Sequence, residues 1–384
     1  MRVLFSSTSG IGHNLPMVPL ARAFRDAGHD VLWATSAEAC ALVETAGLDA
    51  TAAGLSGPEL RERVGRLQAA AREVAPVDRA AFMFPAMFGE LLTPPMVAAL
   101  LTVARDWRPE LMVHEHGELA SPLVGAVLGT PSLTHAFGGA IPVAIVEAAA
   151  ERVTPLWVAQ GLEPPPYGGA FTAPYLDICP ASVQSVPMDH IPTVQPLRPV
   201  SDAAEPEMGH PDHLDQDGRP LVYVTLGTVQ NHAPILRDLV LALSRLPLSV
   251  LVTVGPDRDP ASLGELPANV RVESWVDQAE VLRHCAVVVS HAGSGTFLGA
   301  LAAGRPQLCL PQAADQFRNA AGGARSGAAL VLPPIGTTDE AVTRAVSRLL
   351  DEDTFREAAR TVAREIAAMP SPAEVVATLA SAYA

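Results

Sequence analysis

The chain has 384 residues, 49% of them hydrophobic, and a formal net charge of -15, which suits two ordinary domains with their own cores. The acidic balance, with no basic run, argues against nucleic acid or an anionic membrane surface as a main partner. All 26 basic side chains are arginine, which excludes lysine Schiff bases, pyridoxal phosphate anchoring and the P-loop lysine. The four cysteines, Cys40, Cys179, Cys285 and Cys309, are too scattered for a CxxC metal pair or a disulfide framework, so a cytoplasmic setting is expected. The opening apolar stretch breaks at Ser6, too short for a signal peptide. No uninterrupted apolar run approaches the roughly 18 residues of a membrane span.

In chain order, apolar strand-like runs at Val3–Phe5, Val31–Ala34, Leu111–Val113 and Ser132–Thr134 alternate with helical segments such as Met17–Ala27 and Ala37–Ala46. That pattern predicts a parallel sheet covered on both faces. Residues 56–106 form a longer insertion. Its Phe82, Met83, Phe84, Met87 and Phe88 either line a pocket or belong to a helix pair packed on the sheet. Residues 141–185 are rich in proline and aromatics, and 187–220 have the proline-rich, acidic, aperiodic character of a linker. The alternation then restarts at Leu221–Leu226, Ser249–Val254, Val270–Glu273, Ala286–Ser290, Gln307–Leu310 and Ala329–Leu332. The expected organisation is an N-terminal domain over 1–200, a linker over 201–219, a second doubly wound domain over 220–368 and a terminal helix over 369–384.

Two strand–turn–helix sites stand out. The first, Gly10-Ile11-Gly12-His13-Asn14-Leu15-Pro16, lacks the third glycine of a dinucleotide fingerprint, and the second strand ends at Ala34-Thr35-Ser36 without a carboxylate for a ribose. His13 falls at the carboxyl end of the first strand, the edge that faces the ligand crevice in open α/β sheets. A helix start disfavours the imidazolium, so His13 is either a neutral general base or a helix cap. The second site is Val287-Val288-Val289-Ser290-His291-Ala292-Gly293-Ser294-Gly295-Thr296. Small residues there let an anion approach the backbone at a helix start, where His291 is placed to donate to it. Asp315 and Gln316 follow another strand end, Gly227-Thr228 close the strand at 221–226, and Trp275 is either a stacking face for a base or core.

The motifs GxGHxxP, TLGT, SWVxQxxxL, HAGSGT and PxxxDQ occur in that order over nearly the whole chain. Together they resemble the inverting, nucleotide-sugar-dependent glycosyltransferases of the GT-B type, in particular the bacterial branch that decorates antibiotics and other natural products. The resemblance implies an α/β fold of two Rossmann-like doubly wound domains facing across a cleft. It implies His13 as the general base, with an acid after the fourth strand to orient it. Glu115 stands where that family usually has aspartate, and His116 is a rival partner. Thr228, His291, Ser294, Gly295 and Thr296 match diphosphate-binding positions. Trp275 and Val276 match the base-binding pair, and Asp315 and Gln316 match residues that hold sugar hydroxyls. Where many members carry a ribose-binding glutamate this chain has Gly299, which fits a 2′-deoxyribose donor such as a dTDP sugar.

Phe82, Phe84, Phe88 and His135 are the candidate acceptor-binding residues, which suits a small lipophilic acceptor. His114, His116 and His135 raise a metal site as a weaker alternative. The DxD-like strings Asp215-Gln216-Asp217, Asp257-Arg258-Asp259 and Asp351-Glu352-Asp353 sit in linker, turn and interhelix contexts and read as solvated, so neither metal nor cofactor is expected. The expected partners are a nucleotide-sugar donor (dTDP or UDP) and the acceptor, with a homodimer left open. A sugar-nucleotide epimerase of the same fold and a non-catalytic auxiliary homologue are the competing readings.

Overall fold

In the computed structural model, residues 1–75, 78–199, 218–227, 233–256, 258–333 and 336–383 are described. They divide into two compact units. The first holds Met1–Cys179, Val186–Ser201 and Pro370–Ala384, and the second holds Pro180–Ser185 and Asp202–Met369.

The sheet of the first unit contains β1 (Arg2–Ser6), β2 (Asp30–Thr35), β3 (Asp49–Ala52), β4 (Leu111–Glu115), β5 (Ser132–His135), β6 (Tyr175–Asp177) and β7 (Val194–Pro196). All pair in parallel, in the order β3-β2-β1-β4-β5-β6-β7. The order reverses between β1 and β4, where Ser6 stands beside His114. The apolar runs of β1 and β4 are buried because helices cover both faces. On one face Leu4 and Met112 meet Met96, Val97 and Leu100 of the Thr93–Trp107 helix and Val153 of the Val143–Ala159 helix.

Two strands depart from the sequence reading. β6 is three residues long between Pro174 and Pro180, and β7 lies inside the stretch read as linker. Pro196 is tolerated because β7 is an edge strand, where a missing N–H costs no ladder bond. The insertion holds a helix at Gly57–Arg72 and then one continuous helical run, Arg79–Trp107, with a π-helical segment at Pro85–Leu92. That run is long and apolar enough to cross a membrane, contrary to expectation; Pro85, Gly89, Glu90 and Thr93 had interrupted the apolar reading. Half of the expected alternative holds, since this run packs closely on the Val143–Ala159 helix. A Cβ on Gly89 would lie 3.0 Å from the Ala149 carbonyl.

The second sheet contains β8 (Leu221–Thr225), β9 (Ser249–Thr253), β10 (Val270–Glu273), β11 (Val287–Ser290), β12 (Gln307–Cys309) and β13 (Ala329–Val331). It is also parallel throughout, ordered β10-β9-β8-β11-β12-β13. Its reversal point lies between β8 and β11, with Ser290 beside Thr225. The C-terminal helix Pro372–Tyr383 belongs to the first unit and packs on the Val18–Asp26 helix there.

Candidate active site

At the first reversal point, β1 runs into the turn that carries His13 and β4 ends on Glu115. His13 Nδ1 lies 3.1 Å from Glu115 Oε1. The carboxylate is fully buried, while the imidazole side chain keeps 22% of its surface exposed. Spending Nδ1 on Glu115 leaves Nε2 as the nitrogen for a ligand proton.

Glutamate reaches this place by folding back. Its Oε1 also accepts from the Thr8 hydroxyl at 2.9 Å and the Thr8 amide at 3.3 Å, and its Oε2 accepts from the Gly117 amide. A Cβ on Gly117 would sit 3.0 Å from both Glu115 Oε2 and the Phe88 ring, so glycine is needed for that close approach. Burial alone would raise the Glu115 carboxyl. The charge of His13 and the hydrogen bonds from His13, Gly117 and Thr8 outweigh it and hold the carboxyl below its ordinary range.

The turn itself is stitched by Asn14, which is fully buried. Its Nδ2 donates to the Thr8 and Gly10 carbonyls at 2.8 Å each, and its Oδ1 accepts from Ser7. A Cβ on Gly10 would lie 2.8 Å from His13 Cδ2, so the ring folds over the glycine. The nearby Glu118 has a different task. It accepts from Ser6, from the Ser121 hydroxyl and from the amides of Ala120 and Ser121, capping the Ser121–Leu128 helix.

Aromatic rings surround His13. Phe88 and Phe137 lie at centroid distances of 5.3 and 4.7 Å, and Phe84 is 4.7 Å from Phe88. Phe82 is half-buried on the same run. His135 is different from what an acceptor contact requires. It is fully buried, its Nδ1 meets the Ala136 carbonyl, and burial pushes its pKa down to about 4. It lies two residues before the half-buried Phe137, which takes its place beside His13. His114 uses Nδ1 on the Glu115 carbonyl and Nε2 on Thr134. Among the described residues no group of three or more histidine, cysteine or acidic side chains is arranged to hold a metal.

In the second unit, β11 leads through Ala292, at φ +62, into the Ser294–Ala302 helix. No side chain caps that helix start, and the place of a Gly295 Cβ is open space. Uncapped amides at a helix start are suited to receive an anion. His291 lies close over two glycines. A Cβ on Gly293 or Gly227 would fall 2.4 or 2.7 Å from its ring. Burial lowers the His291 pKa first, and the Asp315 charge and a hydrogen bond to the Thr225 backbone oppose that. Its Nδ1 is buried without a protein hydrogen bond.

Ser294 donates to Asp315 Oδ2 at 2.6 Å, and Asn319 Nδ2 reaches the Ala292 carbonyl, Ser294 and Asp315. Gln316 uses its amide oxygen on the Gln312 and Ala313 amides, so a ligand contact would fall to its nitrogen. Trp275 is 56% exposed just beyond β10, and Val276 packs into the core behind it. Gln278, also from the SWVxQ motif, donates to Thr296 at 3.1 Å. Gly299 faces the core, since its Cβ would meet Leu282 Cδ1 at 3.1 Å. Thr228 lies outside the described residues, as do Asp215-Gln216-Asp217 and Asp257. Asp353 and Glu352 are paired with Arg356 and Arg348.

Two Rossmann-like sheets, one with a histidine–carboxylate pair at its reversal point and one with an anion cradle beside an exposed tryptophan, define a nucleotide-dependent transferase of the GT-B class. The chain belongs to the erythromycin biosynthesis protein CIII-like family, whose N-terminal domain matches residues 22–194 and whose C-terminal domain matches residues 237–381. It is a bacterial natural-product type of glycosyltransferase. It is 35% identical to the L-demethylnoviosyl transferase of Streptomyces niveus, over 99% of this chain and 98% of that one. It is also 35% identical to the elloramycin glycosyltransferase ElmGT of Streptomyces olivaceus, over 100% and 98%. Among solved structures it is similar to the spinosyn rhamnosyltransferase SpnG complexed with thymidine diphosphate, with a TM-score of 0.80, 28% identity, and 99% and 100% of the two chains covered.

Proposed function

We propose that this glycosyltransferase moves a sugar from a thymidine diphosphate donor to a hydroxyl of a small lipophilic acceptor, with inversion at the anomeric carbon. The observation that carries the reading is the buried Glu115 holding His13 Nδ1 at 3.1 Å, with the Phe88 and Phe137 rings against the same imidazole. In this reaction Nε2 takes the hydroxyl proton as the oxygen attacks the anomeric carbon. Glu115 steadies the imidazolium that forms. The diphosphate leaves from the opposite face, its charge met by the amides at Ser294–Thr296. A single displacement gives inversion.

The donor assignment is supported by the relative solved with thymidine diphosphate. Gly299 adds no support, since a side chain there would point at Leu282. The relatives, a demethylnoviosyl transferase and an elloramycin glycosyltransferase among them, support a natural-product acceptor. No metal is proposed, since the helix start and His291 supply the diphosphate with donors.

The test is mass spectrometry and NMR of reactions pairing thymidine and uridine diphosphate sugars with mixed aglycones, in buffer treated with a chelator. The expected product is a glycoside of inverted anomeric configuration, formed preferentially from the thymidine donor and undiminished by chelation. Retention of configuration, or sugar-nucleotide conversion with no acceptor present, would overturn the reading.

A further inference from the structure

The glutamate beside His13 is tied at both oxygens. Oε1 lies 3.1 Å from His13 Nδ1, and it accepts from the Thr8 hydroxyl at 2.9 Å and the Thr8 amide at 3.3 Å. Oε2 accepts from the Gly117 amide. Thr8 is itself fixed from behind. Its carbonyl accepts from Asn14 Nδ2 at 2.8 Å, Asn14 Oδ1 accepts from the Ser7 hydroxyl, and Ser7 accepts from Trp33 Nε1 at 2.9 Å. Ser7, Asn14 and Trp33 are at most 1% exposed. A line of buried hydrogen bonds therefore runs from β2 through the turn and ends at Thr8, against the carboxylate.

A glutamate head rides on a flexible stem, and holding it in one place costs rotamer entropy that fixed partners must offset. Thr8 is suited to this because its hydroxyl is a neutral donor. It orients the carboxylate without cancelling the charge that steadies an imidazolium. The neighbouring histidines do not compete for the carboxylate. His114 spends its ring nitrogens on the Glu115 carbonyl and Thr134. His116, the rival partner, packs edge-on against Phe171 and Tyr175 at 5.6 and 5.3 Å. His135 turns Nδ1 to the Ala136 carbonyl.

We infer that Thr8 is a positioning residue for the base. With the Gly117 amide it fits this turn to a glutamate, and through Glu115 it keeps the proton of neutral His13 on Nδ1, leaving Nε2 bare for the acceptor hydroxyl. This rests on reading His13 as the base. Glutamate is one methylene longer than the aspartate usual at this place, and the two anchors take up that length. Restoring aspartate should therefore harm the site.

The test is ¹⁵N NMR of the full chain labelled at histidine, which reads the imidazole tautomer and needs no acceptor. Spectra are taken near pH 9, well above the ordinary histidine value of about 6.5, and His13→Gln assigns the signal. Wild-type His13 should be the Nδ1–H tautomer. In Thr8→Val the ratio of Nδ1–H to Nε2–H should fall by roughly 10-fold or more, the scale of a hydrogen bond to a charged group. Thr8→Ser, which keeps the hydroxyl, should restore it, and Glu115→Asp should lose it as Thr8→Val does. Thr8→Ala repeats the loss without the bulk of valine, and unchanged His29 signals report that the unit is folded. A wild-type tautomer in Thr8→Val or Glu115→Asp would overturn the inference. So would a Thr8→Ser ratio as low as that of Thr8→Val. If wild-type His13 carries its proton on Nε2, the base reading itself falls. If the wild type shows Nδ1–H and only the variants disagree, that reading stands and Thr8 alone loses its role.

Discussion

The two units solve one geometric problem twice and reach different chemistry. Each has a parallel sheet whose strand order reverses beside its first strand, and each places a histidine just past a strand end at that reversal. His13 faces a fully buried carboxylate at 3.1 Å and keeps part of its ring in the open. His291 is folded over Gly227 and Gly293, bonds to backbone, and feels Asp315 only through charge. A histidine backed by a buried anion can take up a proton and keep it. One backed by a carbonyl and desolvated prefers to stay neutral until an anion arrives. The sheet fixes where the histidine stands, and the strand beside it fixes what the histidine can do.

The comparison breaks if the two histidines can exchange effects. His13→Ala should lower transfer by ~10²–10⁴-fold, the usual worth of general-base catalysis, with thymidine diphosphate affinity unchanged. His291→Ala should weaken thymidine diphosphate by roughly 10- to 150-fold, the range for a hydrogen bond to a charged group. Calorimetry and initial rates on the two variants decide it. Equal losses of nucleotide binding in both would mean that neither unit has the separate task described. Glu115→Ala should lower the rate in the same direction as His13→Ala. Because the carboxylate acts through the imidazole, the double variant should be little slower than His13→Ala alone. Multiplying losses would give Glu115 a task of its own.

Much of this was legible in the sequence because it is local. The apolar runs of β1, β4, β8 and β11 announce buried parallel strands, and the glycines beside His13 and His291 announce the turns. What was hidden depends on partners far apart in the chain. Thr8 meets Glu115 across 107 positions, and nothing about a threonine in a serine-rich turn signals that contact. Asn14, Gln278 and Asn319 carry no sequence signal for the same reason: each is an ordinary polar residue until the fold brings a carbonyl or hydroxyl to it. Gly117 had a local signal in retrospect, since a glutamate that must fold back needs a close amide with no side chain behind it. The short strands β6 and β7 were hidden by flanking prolines, which read as linker. His135 ends β5 and is buried there, so the contact with His13 falls to the half-buried Phe137 two residues on, which strand alternation alone does not signal.

The smallest expected effect concerns acid stability and sharpens the contrast between the units. His116 and His135 are held neutral by burial, at about 3 and about 4. Both lie well below the ordinary histidine value of about 6.5. For a group whose folded pKa is depressed, the unfolded chain takes up the proton first. The stability it lends is therefore whole above the unfolded value and is lost as pH falls toward the folded one. The first unit should thus begin to loosen as pH drops below about 6.5. Glu115, also depressed, adds its loss only lower, below the ordinary carboxylate range of about 4.3. The second unit has His291 alone shifted in that direction among its described histidines. Hydrogen exchange followed from pH 7 to pH 4.5, corrected for intrinsic rate, should show β4 and β5 losing protection before β8 and β11. Glu115→Gln should leave that upper window unchanged and flatten only the fall in Tm below it. If β8 and β11 open first, the buried imidazoles of the first unit are not what limits stability in acid. The difference between the two sites would then be one of chemistry without a matching difference in stability.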